Sequence, residues 1–134
     1  MEKWQKVYEG IIPASNYSVN LQNGETDGLI ITLSSMSHDV KIDFGVVSAI
    51  RMLDEGLVQC ELYDDTQIQE QRRENFNNTI YQIEGGEFGD FARKIGGELY
   101  EGFGYKHLHY IIITMNYVIE VVTEWEPNIY VTAN

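Results

Sequence analysis

The sequence predicts an α+β fold that is mainly β: a single antiparallel β-sandwich, or a strongly curved sheet, with one or two short helices. Three observations predict it. Runs of β-branched and aromatic residues recur along the chain, several of them alternate with polar residues, and one stretch near residue 90 has a helical period. The 134 residues, 43% of them hydrophobic, match the usual size of one domain with its own core, so residues 1–134 are expected to form a single domain.

The first part of the chain contains four predicted strands. Pro13 ends the first run, and Asn23-Gly24 is typical of a tight turn between the second and the third. In the fourth, apolar residues alternate with Lys41 and Asp43, a pattern typical of one buried and one solvated face. These strands are Trp4–Ile12, Tyr17–Leu21, Leu29–Leu33 and Val40–Phe44.

The stretch Val46–Leu53 is ambiguous, because its apolar residues fit a helix that ends at Gly56 as well as they fit a strand. A strand is favoured because the stretch lies between Val40–Phe44 and the alternating run Leu57–Tyr63, and the three would then form a meander. The polar residues of Asp64–Asn75 are expected to form a helix or an exposed loop.

In the second half, Thr79–Ile83 is a predicted strand and Glu87–Ile95 a predicted helix. Phe88, Phe91 and Ile95 would form the apolar face of that helix, with Gly96-Gly97 ending it. The strongest hairpin pattern joins His107–Thr114 to Tyr117–Trp125 through Met115-Asn116. Both of its strands are almost continuously apolar, so we expect it at the centre of the sheet, followed by a last strand at Ile129–Thr132.

The hairpin also predicts a cluster of polar side chains. A two-residue turn pairs Thr114 with Tyr117 and places Ile111 opposite Glu120. Alternation then puts two histidines and two glutamates on one face: His107, His109, Glu120 and Glu124. Such a set could bind zinc or transfer protons, which gives a metal- or ligand-dependent enzyme, or a ligand-binding domain, as an alternative function. Ordinary cross-strand His–Glu pairs are more frequent, so we predict no metal and no cofactor.

The chain is strongly acidic, with 21 Asp and Glu against 9 Lys and Arg and a formal net charge of −12. A magnitude of about 2 to 8 is enough for solubility. The excess favours a surface complementary to a cationic protein, although a solvated acidic face is an alternative. Nucleic-acid binding is opposed by the same charge. The predicted partner-binding surface consists of acids without neighbouring bases and one aromatic anchor: Asp54, Glu55, Glu61, Asp64, Asp65, Glu124, Trp125 and Glu126.

No catalytic motif accompanies this charge, and we predict that the protein is not an enzyme. The glycines between residues 85 and 104 match neither phosphate-binding pattern, and Ser34, Ser35 and Ser37 lack a nucleophile elbow. Cys60 has no partner for an internal disulfide, and the first residues lack the apolar segment of a secretory leader. These features favour a cytoplasmic protein without a membrane-spanning segment.

Two parts of the chain carry a family resemblance. They are Phe44-Gly-Val-Val-Ser-Ala-Ile-Arg-Met-Leu-Asp-Glu-Gly56, and His109-Tyr-Ile-Ile-Ile-Thr with Val118-Ile-Glu-Val-Val and Glu126-Pro127. In these strand cores and turns, which cover most of the chain after Val40, the sequence resembles small acidic immunity proteins encoded beside bacterial polymorphic toxins. The resemblance implies a protein that binds one cognate toxin, often a nuclease with a basic cleft, and blocks it. Interface residues of such families vary with the partner, so the resemblance assigns no site residue.

Overall fold

The computed structural model describes residues 2–55 and 78–134. These residues form two antiparallel sheets and two short helices, so the mainly β, α+β class is as predicted. The strands are β1 (Lys3–Lys6), β2 (Ser18–Gly24), β3 (Gly28–Ser34), β4 (His38–Gly45), β5 (Ala49–Asp54), β6 (Ile80–Glu84), β7 (Leu108–Ile113), β8 (Tyr117–Thr123) and β9 (Asn128–Ala133). The helices are α1 (Glu87–Gly96) and α2 (Glu98–Glu101).

The two sheets pack face to face as a sandwich. One has the strand order β1-β6-β7-β8-β5 and the other β2-β3-β4-β9. Alternate residues of β2 to β9 point into the space between them, which excludes water from one continuous apolar core. Its buried members include Leu29, Ile31, Leu33, Val40, Ile42 and Phe44 from the four-stranded sheet and Ile80, Tyr110, Ile112, Ile119 and Val121 from the five-stranded sheet.

The β7–β8 hairpin has the predicted turn and register. The Thr114 N–H donates to the Tyr117 carbonyl at 2.9 Å, and Ile111 lies opposite Glu120. Strand β7 is the central strand of the five-stranded sheet, as expected from its apolar sequence. Both faces of the hairpin are buried: on the outer face Ile111 and Val118 pack beside Trp4 and Tyr81 of the neighbouring strands, and Val122 packs against α1. A strand buried on both faces has no need of polar alternation.

Two predictions in the first part of the chain are wrong in their bounds. Strand β1 ends at Lys6, and the chain turns at Tyr8, which has a φ of 55°, so Trp4–Ile12 is not one strand. The tight turn predicted at Asn23-Gly24 lies later, because Gly24 pairs with Gly28 and the turn consists of residues 25–27.

The stretch Val46–Leu53 forms a strand from Ala49 onward, as favoured, but the predicted meander is wrong. Strand β4 belongs to the four-stranded sheet, whereas β5 pairs with β8 in the other sheet. The chain crosses between the sheets at Gly45, whose φ of +67° is a conformation that L-residues rarely adopt. The predictions for Leu57–Tyr63 and Asp64–Asn75 lie outside the described residues.

Helix α1 begins at the predicted residue and ends at Gly96, one residue later than predicted, and only Phe88 of its predicted apolar face is buried. Phe88, Gly89 and Ala92 are buried, whereas Phe91 is 55% exposed and Ile95 69% exposed. The reason is the close approach of the helix to the sheet: a Cβ atom at Gly89 would lie 2.7 Å from Nδ1 of His109. A glycine therefore faces the sheet, and the apolar stripe is rotated toward solvent.

Replacing Gly28 with alanine should destabilise the protein more than the same change at Gly45. Both glycines have positive φ, which costs an L-residue about 1 to 2 kcal/mol. A Cβ at Gly28 would also lie 2.1 Å from the backbone carbon of Gly45, while a Cβ at Gly45 would meet no atom of residues 2–55 or 78–134 within 4 Å. The free energy of unfolding, measured with urea, should fall by about 1 kcal/mol for Gly45→Ala and by at least about 2 kcal/mol for Gly28→Ala. Equal losses would contradict the steric argument.

Candidate functional site

A buried ion cluster lies on the outer face of the five-stranded sheet. Glu120 is 1% exposed, and its Oε1 accepts a hydrogen bond from Nε2 of His109 at 2.7 Å. Its Oε2 lies 2.6 Å from Nε and 2.5 Å from Nη2 of Arg51. Arg51 lies directly opposite Glu120 on β5, and His109 lies two residues before Ile111 on β7, so the three side chains share one face. A buried carboxylate requires such partners.

Helix α1 covers this cluster. Its first residue, Glu87, accepts a hydrogen bond from Nη1 of Arg51 at 3.0 Å. The Arg51 guanidinium lies 4.8 Å from the ring centre of Phe88, and the same ring lies 6.1 Å from that of His109. The cluster therefore attaches the helix to the sheet, and its charges hold one another in place.

The structure brings together only part of the predicted His–Glu face. His109 and Glu120 are in contact, as the register predicted, but Glu124 is half-buried after the end of β8 and does not join them. The second carboxylate oxygen of Glu120, Oε2, accepts a hydrogen bond from Arg51, a residue that the sequence did not predict at this site. Among the described residues, no three His, Cys, Asp or Glu side chains converge as a metal site would require.

His107 lies between both helices and the sheet. Its Nε2 would be 3.2 Å from a Cβ at Gly89, and its ring meets the Tyr100 ring edge-on at 5.2 Å. Its Nδ1 is buried and has no hydrogen-bond partner among the described residues. Burial lowers the pKa of His107 below the ordinary histidine value; Arg93 and His109 act in the same direction, and Asp90 opposes them.

Stability should therefore fall in mild acid because of His107. Its pKa is lower in the folded state than the value of about 6.5 expected in the unfolded chain. Below pH of about 6.5 the unfolded chain binds a proton at His107 more readily than the folded chain does. The stability that depends on neutral His107 is therefore complete above that pH and is lost as the pH falls. The free energy of unfolding of the His107→Gln variant, measured with urea, should fall less between about pH 7.5 and 5.5 than that of the unchanged protein. His38→Gln is the control, and its free energy of unfolding should fall as much as that of the unchanged protein. An equal fall in the His107→Gln variant would refute the assignment of the acid sensitivity to His107.

The predicted acidic surface is divided between two ends of the sandwich. Asp54 lies opposite Tyr117, and the Glu55 N–H donates to the Asn116 carbonyl at 2.8 Å, so both lie beside the β7–β8 turn. Glu124, Trp125 and Glu126 follow the other end of β8, about 23 Å away at about 3.3 Å for each of its seven residues. Glu61, Asp64 and Asp65 lie outside the described residues.

Trp125 is exposed but held in one orientation. The side chain is 54% exposed, and its Nε1 donates to the Val46 carbonyl at 3.1 Å. The backbone N–H of Trp125 donates to Oγ1 of Thr123 at 3.3 Å. Val46 is itself exposed. We call this end of the sandwich, which holds Val46 and residues 124–126, the Trp125 end.

Further acids lie at the Trp125 end that the sequence did not assign to the surface. The exposed turn that carries Glu25 and Asp27 belongs there, because a Cβ at Gly28 would lie 2.6 Å from the backbone nitrogen of Val46. The turn is distant from residues 124–126 along the chain, so only the packing of the two sheets could reveal that they are neighbours.

The helices add exposed apolar side chains at the same end. His107 contacts both helices and immediately precedes Leu108, which lies opposite Thr123 at the end of β8. The large exposed side chains of this segment are Phe91, Ile95, Leu99, Phe103 and Tyr105. Sequence reasoning missed them because the first two were assigned to a buried helix face. The spacing of four residues from Phe91 to Phe103 was the available signal.

No helix in residues 2–55 and 78–134 is both long and apolar enough to cross a bilayer. Comparison with known proteins found no matching family model, no similar curated protein and no similar solved structure. The function is therefore inferred from the residues and their geometry.

Proposed function

We propose that this protein is a cytoplasmic binding protein of the immunity type, which inhibits a cationic, nuclease-like toxin by covering its active site. The observation that carries the proposal is Trp125: an exposed, oriented indole between two glutamates, on a chain of net charge −12. The protein acts in this proposal by contact alone, without a cofactor and without catalysis.

An oriented tryptophan is well suited to anchor a partner. Tryptophan is enriched among the few residues that carry most of the binding energy of an interface. The hydrogen bond from Nε1 to Val46 restricts the indole before binding, so less side-chain entropy is lost when the complex forms. The neighbouring Val46 extends the apolar contact.

The surroundings of Trp125 combine an apolar centre with an acidic rim. Glu25, Asp27 and Glu126 are exposed at this end, and the apolar side chains of α1 and α2 add area. An interface of standard size needs about 800 Å² from each partner, more than one indole can supply. A basic cleft would meet carboxylates in the positions where it otherwise meets phosphates, which accounts for inhibition by occlusion.

The alternative function gains no support from the geometry. An enzyme built on His107, His109, Glu120 and Glu124 would need a free carboxylate or imidazole facing a substrate. Both oxygens of Glu120 are engaged by His109 and Arg51, and α1 covers them. The arrangement is typical of a structural ion cluster.

The proposal is tested with the protein encoded next to this one in its genome. Expression of that neighbour should arrest growth, co-expression of this protein should restore it, and the two purified proteins should form a complex. Trp125→Ala should weaken the complex by about 30-fold or more, mainly through faster dissociation, which corresponds to about 2 kcal/mol.

Met36→Ala is the matched control, since Met36 is a fully exposed apolar side chain in the β3–β4 turn, away from the Trp125 end. It should leave affinity and rescue unchanged. A neighbour that is not toxic, or a toxic neighbour that this protein neither binds nor neutralises, would overturn the proposal. If Trp125→Ala and Met36→Ala changed affinity and rescue equally, Trp125 would not be the anchor of the interface.

A further inference from the structure

Strand β9 lies at the edge of the four-stranded sheet, where it pairs with β4 alone in the described part of the chain. Five of its six residues are exposed, including Tyr130 and Val131. Natural edge strands are usually protected against pairing by charged residues, proline or a bulge. The sequence Asn-Ile-Tyr-Val-Thr-Ala of β9 contains no charged residue and no proline, in a chain of net charge −12.

The hydrogen bonds determine which backbone groups of β9 face outward. The Asn134 N–H donates to the Ser37 carbonyl at 2.9 Å, and the next pair along is His38 with Ala133. In an antiparallel ladder, pairs that exchange hydrogen bonds alternate with pairs that do not. Asn128, Tyr130 and Thr132 therefore direct their N–H and C=O groups to β4. The outward groups belong to Ile129, Val131 and Ala133.

We propose that the β9 edges of two copies of this chain pair antiparallel about a two-fold axis at Val131, so that two four-stranded sheets become one sheet of eight strands. Val131 then lies opposite the same residue of the second copy, and Ile129 lies opposite the second copy's Ala133. All three outward-facing residues enter pairs of the hydrogen-bonded kind, which gives about six backbone hydrogen bonds. Tyr130 lies opposite the second copy's Thr132 on the outer face.

A second copy fits this edge better than a cationic partner does. The six residues of β9 carry no charged side chain, so a basic strand would find no carboxylate partner on β9 itself. Pairing an edge with itself also closes the assembly, whereas pairing β9 with the opposite edge strand, β2, would build an open filament. The nearest acids, Asp39 and Asp43 on β4, would be three strand spacings from their equivalents. That distance is about 14 Å, beyond the screening length of about 8 Å at physiological salt.

Tyr130 is already placed to contribute to such an interface. Its ring lies 5.7 Å from Nζ of Lys41 on the outer face, and the side chain is exposed. The cation over the ring restricts the tyrosine before pairing. Cross-strand contact of an aromatic ring with a threonine is a favourable pair in antiparallel sheets.

The experiment is sedimentation equilibrium of the purified chain over a range of concentration and salt, and it does not depend on the toxin proposal. We expect a reversible dimer whose affinity rises or stays constant as salt increases, since salt screens the repulsion between two chains of charge −12. Tyr130→Lys with Thr132→Lys places lysines opposite one another across the axis, so this variant should sediment as a monomer while circular dichroism stays unchanged.

Asn20→Lys with Gln22→Lys is the matched control, because it adds the same charge to the exposed outer face of the other edge strand and should leave the dimer intact. A wild-type chain that stays monomeric at its highest soluble concentration would overturn the proposal. So would a dimer that survives the β9 lysines, or one that the β2 lysines abolish. A monomer that pairs through β9 only with a different protein would also overturn the choice of a second copy.

Discussion

Replacing Glu120 with alanine should lower the free energy of unfolding by about 3 to 5 kcal/mol, because it leaves the Arg51 guanidinium and His109 beneath α1 without the carboxylate that both contact. Removing one partner of a buried ion pair costs far more than the pair contributes on balance, since the remaining charge stays desolvated. Urea unfolding, followed by tryptophan fluorescence and by circular dichroism, measures the loss.

Two further variants separate the buried part of the cluster from its exposed part. Glu87→Gln removes the partner of Arg51 that is 63% exposed, so it should cost no more than about 1 kcal/mol. Replacing Arg51 with methionine in the Glu120→Ala protein should recover part of the loss, because the uncompensated charge is gone. A cost below about 1 kcal/mol for Glu120→Ala would mean that the cluster does not hold α1 to the sheet.

The sequence alone predicted local pairing well. The β7–β8 register follows from one two-residue turn, and alternation then places His109 and Glu120 on one face at a sequence separation of 11 residues. The contact between Arg51 and Glu120 spans 69 residues and depends on β5 pairing with β8. No periodicity encodes that pairing, because the neighbour of an edge strand is decided by packing of the whole sandwich.

The candidate site shows the same difference between contacts that are local in the sequence and contacts that are distant in it. The grouping of Trp125 with Glu124 and Glu126 follows from adjacency in the sequence, and its role in binding stays a prediction. The separation of this group from Asp54 and Glu55 could be seen only once the direction of β8 was known. Gly89 explains the error in α1: periodicity placed the largest apolar side chains inward, but the contact with His109 leaves room for a glycine only. Residues that must fit a particular neighbour are not visible in a helical pattern.

Neutralising the acids of the Trp125 end should slow association with the proposed cationic partner by about tenfold or more at low salt. The variant carries Glu25→Gln, Asp27→Asn, Glu124→Gln and Glu126→Gln. Charge complementarity raises association rates by about 10 to 10³-fold, and this contribution fades as the screening length falls from about 30 Å at 0.01 M salt to about 8 Å at physiological salt. Dissociation should change much less, because charges near the rim act mainly on encounter. Stopped-flow or surface plasmon resonance across a salt series measures both rates.

A comparison between the two ends shows whether position or only total charge matters. Glu124→Gln with Glu126→Gln and Asp54→Asn with Glu55→Gln each remove two negative charges and change the net charge from −12 to −10. Because the β7–β8 turn lies about 23 Å from Trp125, we expect the first pair to slow association several-fold and the second pair to have little effect. Equal slowing by both pairs would indicate a non-directional field, and a larger effect of the second would move the contact to the β7–β8 turn. An association rate indifferent to salt and to every neutralisation would leave the acidic excess as a solvated surface and the Trp125 end without an electrostatic role.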